Sequence, residues 1–259
     1  MFFLSLSLNS LSSLKSQIND QEGLNFEELE NYLKTAEIEF VDKESLSGRT
    51  APWTIGLNNG TTERRGIFKH LNRPRPHMLP DSYKYDIAAY ELSKLLGLKI
   101  VPPVVEREIE GITGSLQLFL VDCMKERVRI SKKIEPPDPE KFQNALEEIK
   151  VFDNLVRNED CLNPDDVFIH NKDWRVCRVD YSTAFLPDVE LIPGCYISRC
   201  SRKLYNNLLN LDSELVKSKL MPYLNNQEIE TLLRRKELII GIIQQLIKEK
   251  GEDAVLYSM

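Results

Sequence analysis

No run in this chain approaches the roughly 18 consecutive apolar residues that a membrane-spanning helix requires, which argues against an integral membrane protein. The apolar start, residues 1–8, is too short to cross a bilayer and has neither a basic leading stretch nor a small-residue cleavage site. Positive charge is in deficit. With 34 Lys and Arg against 40 Asp and Glu, the net charge is −6, and nothing in that balance draws the chain to nucleic acid or to an anionic membrane surface. Cysteine is sparse too. Cys123, Cys161, Cys177, Cys195 and Cys200 include no CxxC pair, and their odd number argues against a complete disulfide framework, so a reducing, cytoplasmic setting is expected. The three histidines, His70, His77 and His170, form no zinc-site spacing with Cys195 and Cys200. Internal repeats and low-complexity tracts are also missing.

What is present suffices for a core, since 42% of the 259 residues are hydrophobic, enough for one bilobal domain or two small ones. Periodicity predicts a helix over 26–37, with acids leading, then strands at 38–41, at 53–57 and at 66–69, joined by turns at 47–50 and 58–60. Three prolines mark 72–82 as a loop. After it, Tyr85, Ala88, Leu92, Leu95 and Leu96 share one face of a helix over 83–96 that Gly97 ends. Strands are expected at 100–106 and 115–121. A polar, proline-rich stretch at 131–139 marks a change of composition. Beyond it helices dominate, at 140–156, 203–209, 212–220 and 227–250, with a hairpin of 166–169 against 175–180 between them. Apolar residues of the last helix read as core packing, and Arg234-Arg235-Lys236 as a solvated face. The chain is therefore expected to be α+β and bilobal, with an extension over 1–24, an antiparallel-sheet lobe over 25–130 and a mostly helical lobe over 131–259.

The residues able to carry chemistry follow that layout. Lys69 closes the apolar strand tip Ile67-Phe68-Lys69, a place from which an ammonium can reach the α- and β-phosphates of a nucleotide, and an acid on the following helix would hold it there. Asp86 and Glu91 compete for that role. They lie about 140° apart around the helix, and the apolar stripe is nearer Glu91. Asp160 follows Asn158-Glu159 at the end of the helix containing Phe152 and Leu155, where a carboxylate can orient an attacking hydroxyl. Asp180 ends the run from Val176 to Val179, and a carboxylate at a strand terminus can bind magnesium, with Asp165 or Asp166 as second ligand. Taken singly, each aspartate suits a turn or a helix cap. The ordered set is what phosphoryl transfer needs, one carboxylate for the acceptor and others for the metal that neutralises the phosphates.

The motifs Ser47-Gly-Arg-Thr-Ala-Pro-Trp53, Ile67-Phe-Lys69, Tyr85-Asp-Ile-Ala-Ala-Tyr-Glu-Leu-Ser-Lys-Leu-Leu-Gly-Leu98, Val101-Pro-Pro-Val-Val-Glu-Arg107, Gly114-Ser-Leu-Gln117, Phe152-Asp-Asn-Leu155, Asn158-Glu-Asp160 and Val179-Asp180 run in a distinctive order. From about Glu37 to Tyr257 that order resembles the bacterial kinase-like proteins grouped with phosphoinositide 3/4-kinases, related to HipA-like and actin-fragmin kinases. The resemblance implies a protein-kinase-like fold that binds ATP with Mg2+ or Mn2+. It makes Lys69 the phosphate-binding lysine, Asp86 its acidic partner, Asp160 the catalytic-loop aspartate and Asp180 a metal ligand. It also lays adenine along residues 115–122 and covers the phosphates with residues 47–52.

Where such relatives have D-R-H-x-x-N, this chain has Asp160-Cys-Leu-Asn-Pro-Asp-Asp166, so arginine and histidine are missing and Asp166 or Asp165 replaces asparagine at the metal. Two readings follow. One is a kinase that transfers the γ-phosphate to a hydroxyl of a protein, a lipid or a small molecule. The other is a catalytically impaired pseudokinase that binds nucleotide or a protein partner. A metal-dependent hydrolase would leave Lys69 without a role.

Overall fold

The computed structural model describes residues 25–46, 48, 50–73 and 81–258. The expected N-terminal extension, residues 47 and 49 of the turn expected to cover the phosphates, and residues 74–80 of the proline-rich loop lie outside this description.

Asn25 caps the first helix, α1 (Phe26–Thr35), by accepting from the Glu27 N–H, and Glu27 and Glu28 stand at the positive end of its dipole. Leu29, Tyr32 and Leu33 form its buried face. Three antiparallel strands follow: β1 (Glu37–Asp42), β2 (Trp53–Asn58) and β3 (Glu63–Lys69). A short antiparallel pair, β4 (Asn72–Arg73) and β5 (Asp81–Ser82), leads to α2 (Tyr83–Leu95), which ends before Gly97 in left-handed backbone. The hairpin of β6 (Val104–Ile109) and β7 (Ile112–Leu118) completes a five-stranded sheet in the order β1-β2-β3-β7-β6.

Strand alternation sorts the two faces of this sheet. Trp53, Ile55, Leu57, Phe68, Leu116 and Leu118 join Leu29 and Leu33 of α1 in one apolar cluster. Each fully buried member contributes about 1.5–3 kcal/mol relative to exposure. Arg107 fastens α1 to the sheet by donating to the Leu33 and Ala36 carbonyls at 2.7 and 2.6 Å, satisfying acceptors at the helix C-terminus. Lys69, next to Phe68, points to the opposite face, where it stands in register with Ser115.

After β7 the chain makes β8 (Cys123–Lys125) and α3 (Glu126–Lys132), then α4 (Pro139–Val156), which Asp138 caps and Pro139 begins. β9 (Val167–His170) pairs with β8 on one side and with β10 (Val176–Arg178) on the other. The remaining elements are β11 (Cys200–Ser201), α5 (Arg202–Leu209), α6 (Ser213–Leu220), α7 (Asn226–Lys250), α8 (Glu252–Val255) and β12 (Leu256–Tyr257), the last parallel to β11. No helix among the described residues is long and apolar enough to cross a membrane.

Contacts divide the chain into a sheet unit, through His70 and again over Pro103–Phe119, and a mostly helical unit of Leu71–Pro102 with Leu120–Met259. The α+β class agrees with the sequence reading, and the contact units change over at residues 70/71, 102/103 and 119/120. The chain leaves the sheet unit after Phe119 because β8 pairs with β9, and α2 belongs to the helical unit, where the Ser82 N–H donates to the Ser182 carbonyl at 2.8 Å. The strand expected at 100–106 starts only at Val104, since Pro102 and Pro103 offer no N–H to a ladder.

Two further expectations are corrected. Arg234-Arg235-Lys236 is not a solvated face, for Arg235 is fully buried and donates to the carbonyls of Leu155 (2.9 Å), Leu186 (2.8 Å) and Asp188 (2.5 Å). These include an orphan acceptor in the last turn of α4, and burial still lowers the Arg235 pKa to about 10. The disulfide framework is incomplete, as the odd number of cysteines implies, yet the reducing setting inferred from them loses its support. Cys161 and Cys195 form a disulfide, leaving Cys123, Cys177 and Cys200 as thiols.

Candidate functional site

In the helical unit, α4 delivers its C-terminus into the segment that carries the candidate aspartates. Arg157 adopts left-handed backbone (φ 53°), and the Asn158 N–H returns to the Asp153 carbonyl at 2.9 Å, turning the chain out of the helix. Asp160 follows, exposed, and its carbonyl accepts from the Asn163 N–H at 2.8 Å. Asn163 in turn bonds Asp166, carbonyl to N–H at 3.0 Å and side-chain amide to Oδ2 at 2.7 Å. The Val179 N–H donates to the Asp166 carbonyl at 3.0 Å, which brings the end of β10 and Asp180 beside the start of β9.

Arg178 organises this cluster. It is fully buried, and its guanidinium donates to the Asp160 carbonyl at 3.0 Å and to the Val179 carbonyl, while lying 3.4 Å from both Asp153 Oδ2 and Asp166 Oδ2. Burial opposes its charge, but Asp153, Asp166 and Asp180 together keep its pKa above the ordinary arginine value. Asp153 Oδ2 also accepts the Leu162 N–H at 3.1 Å, so one buried ion pair grips the loop on both sides of Cys161.

The three candidate carboxylates feel one another. Burial pushes the Asp166 carboxyl up, and the neighbouring charges of Asp180 and Asp160 push it further, against the pull of Arg178. Such repulsion is what a bound divalent cation relieves. Among the described residues no group of three or more His, Cys, Asp or Glu forms a self-sufficient metal cage. Two carboxylates suit Mg2+ or Mn2+ nonetheless, because Mg2+ takes one or two side-chain oxygens and completes its shell with water and phosphate.

The structure separates the competing acids. Asp165 is partly exposed and engaged with Arg127 at 2.6 Å, which holds its carboxyl below the usual range, so Asp166 is the one that faces Asp160 and Asp180. Glu91 pairs with Lys94 at 2.8 Å on the outside of α2. Asp86, only 2% exposed, accepts the Tyr181 N–H at 2.9 Å. It thereby anchors the residue after Asp180, whose backbone lies in the left-handed region (φ 65°) and needs such support. In the sheet unit, Lys69 is buried at the end of β3, and residues 115–118 of the segment expected to carry adenine form the last part of β7.

No protein-family model and no curated protein matches the sequence. Among solved structures, the Helicobacter pylori proinflammatory kinase CtkA aligns with a TM-score of 0.55 over 85% of this chain and 99% of that chain, at 12% sequence identity. The fold is kinase-like. At that identity the likeness speaks for the backbone arrangement alone.

Arg178, Asp153 and Tyr181 were not singled out from the sequence. One signal was there: a charged residue inside the short strand run from Val176 to Val179 has to find a buried partner. Nothing local identifies that partner as Asp153, 25 residues earlier. The disulfide partner of Cys161 was equally hidden, since pairing depends on where residues 192–197 return to α4.

Proposed function

We propose that this protein binds ATP with a divalent cation and transfers the γ-phosphate to a hydroxyl acceptor, in the manner of the bacterial phosphoinositide 3/4-kinase-like proteins that its motifs resemble. The observation that carries the proposal is the meeting of Asp160, Asp166 and Asp180 around Arg178 on a kinase-like fold. In this reading Asp166 and Asp180 hold the cation, which neutralises developing phosphate charge when bound. Asp160, exposed at the loop tip with its carbonyl pinned, orients the acceptor hydroxyl and takes its proton. Lys69 binds the α- and β-phosphates, and Asp86 serves the phosphate-binding side while fixing the Asp180 backbone.

The test is a melting experiment with ATP and Mg2+ together with a phosphotransfer assay. Ligand that binds only the folded chain stabilises it by about 2.7 kcal/mol at a hundred times its Kd, so Tm rises. Asp180→Ala should erase that rise. Asp160→Asn should keep it yet lower label transfer by about a hundredfold or more. No rise at millimolar ATP with Mg2+ refutes the proposal. A second reading, a nucleotide-binding pseudokinase, is favoured by Cys161 and Leu162 standing where related loops carry arginine and histidine. It predicts the Tm rise without Asp160-dependent transfer.

A further inference from the structure

The disulfide Cys161–Cys195 closes a 34-residue loop that contains Asp160's neighbour and, within it, Asp166, Arg178 and Asp180. Its two ends differ in setting. Cys195 is buried and docked on α4: the Asn154 side-chain amide donates to its carbonyl at 2.8 Å and to its Sγ at 3.2 Å, and Asn154 Oδ1 accepts the Ile192 N–H at 2.9 Å. Cys161 is half-exposed and belongs to the loop itself, directly after Asp160. The bond therefore joins the candidate catalytic loop to a fixed point, with a Cα separation of 6.3 Å.

We infer that this disulfide is a reversible redox latch that holds Asp160 in position, so that oxidation favours and reduction weakens the reaction proposed above, on which this inference rests. Beside the latch, the Arg178 contact to the Asp160 carbonyl and the Leu162 N–H on Asp153 hold the backbone next to Cys161, while the turn bonds of Asn163 and the Arg127–Asp165 pair hold the far end of the loop. The first two reach backbone atoms flanking Cys161, and neither restrains its side chain. Opening is thiol–disulfide exchange. A thiolate of a low-molecular-weight thiol attacks the sulfur of Cys161, the less buried of the two residues, the S–S bond breaks, and Cys195 leaves as thiolate and takes up a proton. A second small thiol then displaces Cys161 from the mixed disulfide, so two thiols are oxidised to one small disulfide while two protein thiols form. Closure is the reverse, driven by a small-molecule disulfide.

The other cysteines do not divert this chemistry. Burial raises the thiol pKa of Cys123 to about 11 and of Cys177 and Cys200 to about 12, leaving almost no thiolate at neutral pH.

The test uses the full chain equilibrated with oxidised glutathione or with dithiothreitol, then alkylated under denaturing conditions. Intact mass should show three alkylated cysteines after oxidation and five after reduction. Hydrogen exchange over residues 157–166 should be faster in the reduced form. Phosphotransfer should fall by on the order of tenfold on reduction, as loss of alignment costs that much or more. The ATP and Mg2+ melting shift, which depends on Asp166 and Asp180, should persist. Cys195→Ser should behave as the reduced form under either condition, and Cys200→Ser should respond to redox as the unmodified chain does. Five alkylated cysteines under oxidised glutathione, or equal exchange and equal transfer in both forms, overturns the latch. Slower exchange on oxidation with no nucleotide shift or transfer in either form upholds the latch as a loop clamp and refutes the kinase reading instead.

Discussion

Asp166 illustrates how a cluster of carboxylates opposes stability. Because burial and the charges of Asp180 and Asp160 raise its folded pKa above the unfolded value, the folded chain holds a proton there longer. Stability from that proton is present at low pH and is lost as pH rises through the folded pKa, so at pH 7 the ionised carboxylate is a cost. Asp166→Asn should accordingly raise Tm at pH 7 in the absence of metal, leave it nearly unchanged below the ordinary aspartate range, and abolish the Mg2+-dependent increase; equal effects at both pH values would contradict this. Arg178 has the opposite character. Removing it strands Asp153 in the interior, and breaking a buried pair on one side costs about 3–5 kcal/mol, so Arg178→Met should lower stability by that order in denaturant titration. The double variant with Asp153→Asn should recover much of the loss, whereas additive losses would show that the pair is not coupled. The carboxylates were legible because aspartates after a helix and at a strand end stand out in sequence; their cation was not, because its contact is set by the packing of β10 on α4.

Among elements, the β3–β7 contact is the most demanding. Gly114 sits where an added Cβ would lie 2.3 Å from the Lys69 carbonyl oxygen and 2.6 Å from the Phe68 ring, too close for any side chain. Gly114→Ala should therefore destabilise by about 1–3 kcal/mol and disturb the Lys69 strand end, read by chemical denaturation; a neutral effect would mean that the strands separate freely there. Long periodic elements such as α4 and α7 were legible within a residue or two, since their spacing and caps are written locally. The three-residue β8 and the polar α3 were not: β8 exists through pairing with β9, some forty residues on, and α3 has one buried residue, Glu126, against which Arg129 folds at 2.6 Å.

At the scale of the whole chain, the C-terminal residues act as a clasp. β12 pairs in parallel with β11, Val255, Leu256 and Tyr257 are buried, and the Tyr257 hydroxyl donates to the Asn144 carbonyl of α4 at 2.7 Å. Arg202 reinforces it through Glu252 and Asp253. Ending the chain at Lys250 removes three buried side chains worth about 1.5–3 kcal/mol each and should lower Tm by at least several degrees. An unchanged Tm would show that these residues only rest on the surface.

The sequence by itself determined the alternation of strand and helix, the apolar faces that build each unit, and the order in which lysine and aspartates occur along the chain. These are set by local periodicity and capping, which read only a few residues at a time. Tertiary structure alone decided that Asp166 rather than Asp165 joins Asp160 and Asp180, that Arg178 and Arg235 are buried among acceptors, and that Cys161 finds Cys195. Each of those outcomes depends on side chains far apart in sequence being brought together by packing, where charge and hydrogen bonding are settled by neighbours and not by the order of residues.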